Sequence, residues 1–427
     1  YLTEPRGRYN GLAGLLVAPG STEQVSQVLV AAAQARIAVV PYGGGTGLVG
    51  GQILPRTEGG DPAPLILSLA RLCKIRACHP EENVLVVEAG AILAEIQKEA
   101  QQVKRLFPLS LASESTAQIG GLLATNAGGV NVLRYGMARD QVLGIEAVMA
   151  DGQIFNGLKR LRKDNTGYDL RHLLIGSEGT LGIITAASLK LVSQPRFEGT
   201  ALLTVQSPQA ALKLLNRTRE VVGEGISAFE LMSAQSFKFL SEGFPQLRQP
   251  WSEPPEWSVL LHLGLSGGKE PEQAFEMLFE QASDLVLDSV IAQSQQQSKE
   301  LWSLRETIPL ANKAIGAICS SDISLPLSQV PDFIDMVAPR IAKFGILRTN
   351  CFGHLGDGNL HYNIFPPVGV AASRYQKVRD ELQYEVHHLT HELGGSVSAE
   401  HGVGRLKVDD IATFSDPVKL HLMRLIK

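Results

Sequence analysis

The chain has 427 residues, 44% of them hydrophobic and 19% charged, as expected of a globular protein with ample core and about two to three domains. A net charge of −4 leaves no basic footprint for nucleic acid, so no such partner is expected. No apolar run reaches ~18 residues, so no membrane span is expected either.

Tyr1–Gly11 is polar, with two arginines and no apolar stretch, and does not read as a secretory signal. Cys73, Cys78, Cys319 and Cys351 have neither paired nor metal-type spacing, which predicts a reducing, cytoplasmic location. The 42 glycines cluster where backbone would approach a ligand closely. Ser21 or Thr22 caps a helix that leads to the strand Ile37–Val40. That strand runs into Tyr42-Gly43-Gly44-Gly45-Thr46-Gly47-Leu48, whose backbone N–H groups suit a pyrophosphate. Neither a Walker lysine nor a helix-opening dinucleotide fingerprint is present.

Strands are expected at Leu65–Leu69 and Val84–Glu88, then a helix at Ala91–Gln102. A second loop region holds Pro108, Ser115-Thr116, Ile119-Gly120-Gly121, Thr125-Asn126-Ala127-Gly128-Gly129 and Tyr135-Gly136. After the strand Val142–Met149 comes a third, Gly176-Ser177-Glu178-Gly179-Thr180-Leu181-Gly182-Ile183-Ile184. Three such loops would wrap one long, phosphate-bearing ligand. Two β-α-β sets follow, over 200–231 and 259–291.

Gly353-His354-Leu355-Gly356-Asp357-Gly358-Asn359-Leu360-His361-Tyr362-Asn363 reads as a hairpin closed by Gly356–Asn359. Its register would set His354 opposite His361, near enough to share a cation. Glu400, in Ala399-Glu400-His401-Gly402, offers a third ligand of the kind found in open catalytic metal sites. Ordinary intra-sheet hydrogen bonding by the two histidines is the competing reading. His387 and His391, four apart on a helix over 375–393, are expected to be solvated or to cap. His79, His172 and His262 are expected to be structural, and Cys319 and Cys351 buried.

Gly-Gly-Gly-Thr-Gly-Leu-Val-Gly-Gly, Ile-Gly-Gly-x4-Thr-Asn-Ala-Gly-Gly and Gly-Ser-Glu-Gly-Thr-Leu-Gly-Ile together resemble the FAD-binding domain of the vanillyl-alcohol oxidase superfamily. His-Leu-Gly-Asp-Gly-Asn-Leu-His and Ala-Glu-His-Gly-Val-Gly resemble the FAD-linked D-2-hydroxy-acid dehydrogenases, a group that includes D-2-hydroxyglutarate and D-lactate dehydrogenases and the glycolate oxidase flavin subunit. The resemblance implies an α+β fold with a two-part FAD domain (1–195), a ferredoxin-like cap (196–385) and a C-terminal segment (386–427) returning to the flavin. It also implies that the natural chain continues into an Asn-Pro-Gly-Lys tail. No histidine precedes His79, so the FAD is expected to be non-covalent.

Flavin contacts are implied from Tyr42, Gly43, Gly44, Gly45, Thr46, Gly47 and Leu48 in the first loop. The second loop would supply Pro108, Ser115, Thr116, Gly120, Gly121, Thr125, Asn126, Gly128, Gly129, Tyr135 and Gly136. The third would supply Glu178, Gly179, Gly182, Ile183 and Ile184, with Asn359 from the hairpin. Zn²⁺ or Mn²⁺ is expected on His354, His361 and Glu400. Arg305 is the expected clamp for the substrate carboxylate, Asn363 a further substrate contact and His401 the general base. Where the 2-hydroxyglutarate branch carries a lysine and a threonine, this chain has Ser320 and Pro309. That departure predicts D-lactate-like monocarboxylates competitive with dicarboxylates. The electron acceptor is expected to be an electron-transferring flavoprotein or a quinone, and a homodimer is admitted. The competing function is a non-catalytic FAD-binding accessory subunit, which would have no use for a metal set beside a base.

Overall fold

The computed structural model describes residues 1–12, 14–53, 63–268 and 270–427. They divide into two units: 1–129 with 135–194 and 400–427, and 130–134 with 195–399. The boundary expected after residue 385 falls inside the helix Arg379–Glu392, and the changeover comes at Ala399/Glu400 instead. Leu382, Val386 and Leu389 commit that helix to the second unit's core.

In the first unit a five-stranded antiparallel sheet runs in the order Ile75–His79, Val84–Glu88, Gly182–Lys190, Val142–Met149, Ile154–Gly157. Leu93, Ile96 and Ala100 of the helix Leu93–Gln102 pack on it. A separate parallel sheet pairs Leu65–Ser68 with Leu16–Val17 and Val39–Tyr42. The helix Thr22–Gln34 covers that sheet through Val25 and Leu29, capped by the Ser21 hydroxyl accepting from the Gln24 amide at 3.2 Å.

The second unit is built on seven strands. Four of them run in the order Val286–Ile291, Phe197–Val205, Trp257–Leu265, Ile226–Ser233. With the helices Pro208–Val222 and Pro271–Gln281 they make the ferredoxin-like β-α-β-β-α-β arrangement. Arg348–His354, Asn359–Phe365 and Cys319–Ser324 extend that sheet in this order beyond Ile226–Ser233. Alternation along the strands separates the two faces. Phe229, Leu231, Cys351, Leu360, Tyr362 and Ile364 lie on one, in a core closed by four helices. Glu230, Met232, Phe352, His354, His361 and Asn363 take the other, partly covered by Ala234–Gly243 and Gln295–Ile315.

Candidate active site

The hairpin forms two residues out of the expected register. Arg348–His354 and Asn359–Phe365 pair with Phe352, not His354, opposite His361. Leu355–Asp357 winds as a short 3₁₀ turn, and Gly358 closes it at φ +81, where an added Cβ would lie 2.2 Å from the Leu325 carbonyl oxygen. A shift of two keeps every side chain on its face, so His354 becomes the diagonal neighbour of His361. Their ring centroids are 5.7 Å apart, and each can offer a ring nitrogen within 4.8 Å of the other's. The pair is therefore brought together as expected, by a different pairing.

Two acidic residues that the motif reading passed over back these rings. Glu230, wholly buried, accepts from His354 Nδ1 at 2.7 Å. Asp322, directly opposite His361 across the sheet, has a carboxylate oxygen 3.7 Å from His361 Nδ1. With Nδ1 turned to a carboxylate, Nε2 is the atom each ring would present to a metal, the usual support for histidine ligands. This donor set fits a divalent cation. The signal for Glu230 was present in the sequence, as a carboxylate inside the apolar strand run Ala228-Phe229-Glu230-Leu231-Met232.

Arg305 sits in the buried stripe Leu301, Leu304, Arg305, Ile308 of the helix Gln295–Ile315, not on a solvated face. Its Nε donates to Glu230 at 2.8 Å, and its guanidinium lies 4.8 Å from the Phe352 ring centre. Burial alone would raise the Glu230 pKa. His354 and Arg305, facing its two oxygens, outweigh it and hold the carboxyl down at about 2. Asn363 is buried opposite Ser320 and Asn350. Asn359 donates to Asp322 at 3.0 Å and to the Ile323 carbonyl at 2.8 Å, while its own buried Oδ1 has no hydrogen-bond partner among the described residues. Glu400 and His401 fall in the first unit. Glu400 directly follows Ala399, whose amide donates to the Asp322 carbonyl at 3.3 Å.

In the first unit the loops singled out for the flavin meet one another. A Cβ on Gly44 would lie 2.2 Å from the Thr116 carbonyl oxygen, and one on Gly43 would lie 3.5 Å from the Gly121 Cα. Gly45 takes φ +73 beneath the Tyr42 hydroxyl. Gly121 itself faces open space, and nearby Gln118 Oε1 is buried with no hydrogen-bond partner among the described residues. A bare-backbone cradle with an unsatisfied polar atom fits a bound dinucleotide.

Not every expected flavin residue is placed as a side-chain contact. Gly120 packs against Ala89, and the Ile183 and Ile184 side chains are buried in the core. Glu178, at φ +52, accepts from the Val403 and Gly404 amides at 2.7 Å each. It anchors the turn that follows His401. His387 is wholly buried, which corrects its expected solvation; His391 is exposed. Cys319 and Cys351 are buried, as their character suggests.

A model of FAD binding domains matches residues 13–157, and one of the C-terminal domain of FAD linked oxidases matches residues 194–427. Over 419 residues the chain is 37% identical to the mitochondrial D-2-hydroxyglutarate dehydrogenase of Rattus norvegicus, covering 98% of this chain and 76% of that one. The chain belongs to the FAD-linked D-2-hydroxy-acid dehydrogenases. It is thus an FAD-dependent oxidoreductase. This family member is also 35% identical over 432 residues to a putative mitochondrial D-lactate dehydrogenase of Schizosaccharomyces pombe, covering 98% and 80% of the two chains. p-Cresol methylhydroxylase shares the fold, with TM-score 0.69 at 17% identity over 96% of this chain and 85% of that chain.

These relatives overturn the expected cytoplasmic location, since they are mitochondrial proteins. Free cysteines report a reducing compartment and cannot tell one such compartment from another.

Proposed function

We propose that this enzyme oxidises a D-2-hydroxy acid to the 2-oxo acid. Arg305 clamps the C1 carboxylate, Asn363 hydrogen-bonds the substrate, and His354, His361 and Glu400 hold Zn²⁺ or Mn²⁺. The observation that carries this reading is one sheet face that bears His354, His361 and Asn363, with Arg305 packed over it. Bound FAD supplies the acceptor for the hydride leaving C2. A bound divalent cation supplies a Lewis acid that eases loss of the hydroxyl proton.

The chain's own residues do the rest. Arg305 presents its two Nη groups as a planar fork, because Nε is already committed to Glu230. His401 receives the hydroxyl proton, as a neutral imidazole can near its working pH. The Glu178 carboxylate, bonded to the Val403 and Gly404 amides, holds the turn that carries it. Reoxidation of the flavin falls to an electron-transferring flavoprotein or a quinone.

Two relatives at similar identity carry D-2-hydroxyglutarate and, as a putative activity, D-lactate in their names, so overall identity does not choose between these substrates. Ser320, opposite Asn363 on the site face, offers no charge to a second carboxylate. D-Lactate should therefore compete with D-2-hydroxyglutarate. Ser320→Lys should raise preference for the dicarboxylate by about 10-fold or more, the worth of one charge-assisted hydrogen bond.

The test is anaerobic bleaching of the flavin with a panel of D-2-hydroxy acids, before and after treatment with a chelator. Bleaching that zinc restores after chelation is expected. Full activity in metal-free protein would remove the metal, and no bleaching with any member would remove the substrate class. His401→Ala should keep FAD and metal but slow flavin reduction by about 10²–10⁴-fold; near-normal reduction would take His401 out of the mechanism.

A further inference from the structure

Glu230 divides its carboxylate between two groups with different tasks. Oε1 accepts from His354 Nδ1 at 2.7 Å, and Oε2 accepts from Arg305 Nε at 2.8 Å. One of these groups comes from the strand Arg348–His354, the other from the helix Gln295–Ile315. Glu230 has no solvent exposure, and Arg305 is 6% exposed, so water cannot replace either bond.

We propose that Glu230 is a positioning residue that couples the substrate-carboxylate clamp to the metal ligand. Resting on the function proposed above, it acts at both ends by accepting. At His354 it fixes the tautomer with the proton on Nδ1, which leaves the Nε2 lone pair for a metal. At Arg305 it occupies the inner edge of the guanidinium, which leaves the two Nη groups for a carboxylate. Asp322 lies beside the other ligand ring, with a carboxylate oxygen 3.7 Å from His361 Nδ1.

An amide in place of the carboxylate cannot serve both ends, because it has one acceptor and one donor. If the glutamine oxygen faces Arg305, its NH₂ faces His354 and demands the tautomer with the proton on Nε2, which cannot bind a metal. If the oxygen faces His354, two donors oppose each other at Arg305 and the guanidinium must move. Glu230→Gln should therefore damage one partner and spare the other.

The experiment titrates zinc calorimetrically into metal-free, FAD-loaded wild-type and Glu230→Gln protein, and pyruvate into the same two proteins without zinc. We expect either zinc or pyruvate affinity to fall 10–100-fold, with the other kept within about threefold. Both affinities unchanged would overturn the inference alone. Large, equal losses in both would also overturn it, since one amide cannot fail both partners at once. Wild-type protein that binds no zinc would overturn the metal site proposed above and this inference with it. A second readout needs no variant: ring ¹⁵N shifts of His354 in metal-free wild-type protein at neutral pH should show the proton on Nδ1. A proton on Nε2 would overturn the coupling.

Discussion

At the scale of single residues, His262 shows how burial turns an imidazole into a pH-dependent liability. Its Nδ1 lies 2.9 Å from Thr200 Oγ1, which lies 2.7 Å from Ser298 Oγ, and its ring stands edge-on to Trp302 at 5.8 Å. Burial first, and then the positive charge of Arg134, push its pKa down to about 4. The unfolded chain, with an ordinary histidine near 6.5, binds a proton between these two values that the folded chain refuses. Stability must then fall as pH drops from about 6.5 to about 4, by at most about 3 kcal/mol. Denaturant unfolding at pH 7 and pH 5 should show that loss, and His262→Asn should flatten it. An unchanged slope in the variant would assign the loss to other groups. Glu230 acts in the opposite sense: held at about 2, it contributes stability above its unfolded pKa and loses it only as pH falls toward 2.

At the scale of elements, two glycines in the facing loops separate folding from cofactor binding. Gly44 is pressed to 2.2 Å, measured from a Cβ that it lacks, against the backbone oxygen of Thr116. Gly44→Ala must force the two loops apart, so it should lower the stability of the flavin-free protein. Gly121, inside the short helix Ile119–Ala124, has nothing within 4 Å of the same position. Gly121→Ala should stabilise the flavin-free protein by about 0.5–1 kcal/mol, yet weaken FAD binding by intruding on the cradle. Thermal unfolding with and without FAD checks both, and unchanged FAD affinity in Gly121→Ala would place the cofactor elsewhere.

At the scale of the whole molecule, each unit has its own hydrophobic core, and a unit with its own core can unfold by itself. FAD held by the first unit stabilises only the state that binds it, by about 2.7 kcal/mol at a hundredfold excess over the dissociation constant. Calorimetry should therefore show two transitions, with FAD raising one and leaving the other in place. One transition raised as a whole would mean that the units unfold together. Acid precipitation should release the yellow chromophore into solution, because no histidine precedes His79 to carry it covalently; colour kept in the pellet would contradict that.

Much of this protein was legible in the chain itself. Short apolar runs placed the strands Val84–Glu88 and Val142–Met149 residue for residue. Glycine runs marked the loops whose backbones meet, since only residues without Cβ permit that approach. The pair His354 and His361 was also legible, because an even shift in register leaves both on one face. Three things were decided only by tertiary structure. The register itself was one, because Gly358 and the 3₁₀ turn at Leu355–Asp357 take up residues that a simple hairpin would have paired. The burial of Arg305 was another, since helical spacing gives a face but not what covers it. Last is the role of Glu230, separated by 75 residues from Arg305 and 124 from His354. A carboxylate becomes a bridge only where strand pairing and helix packing bring both donors to its two oxygens, and that depends on contacts no local pattern encodes.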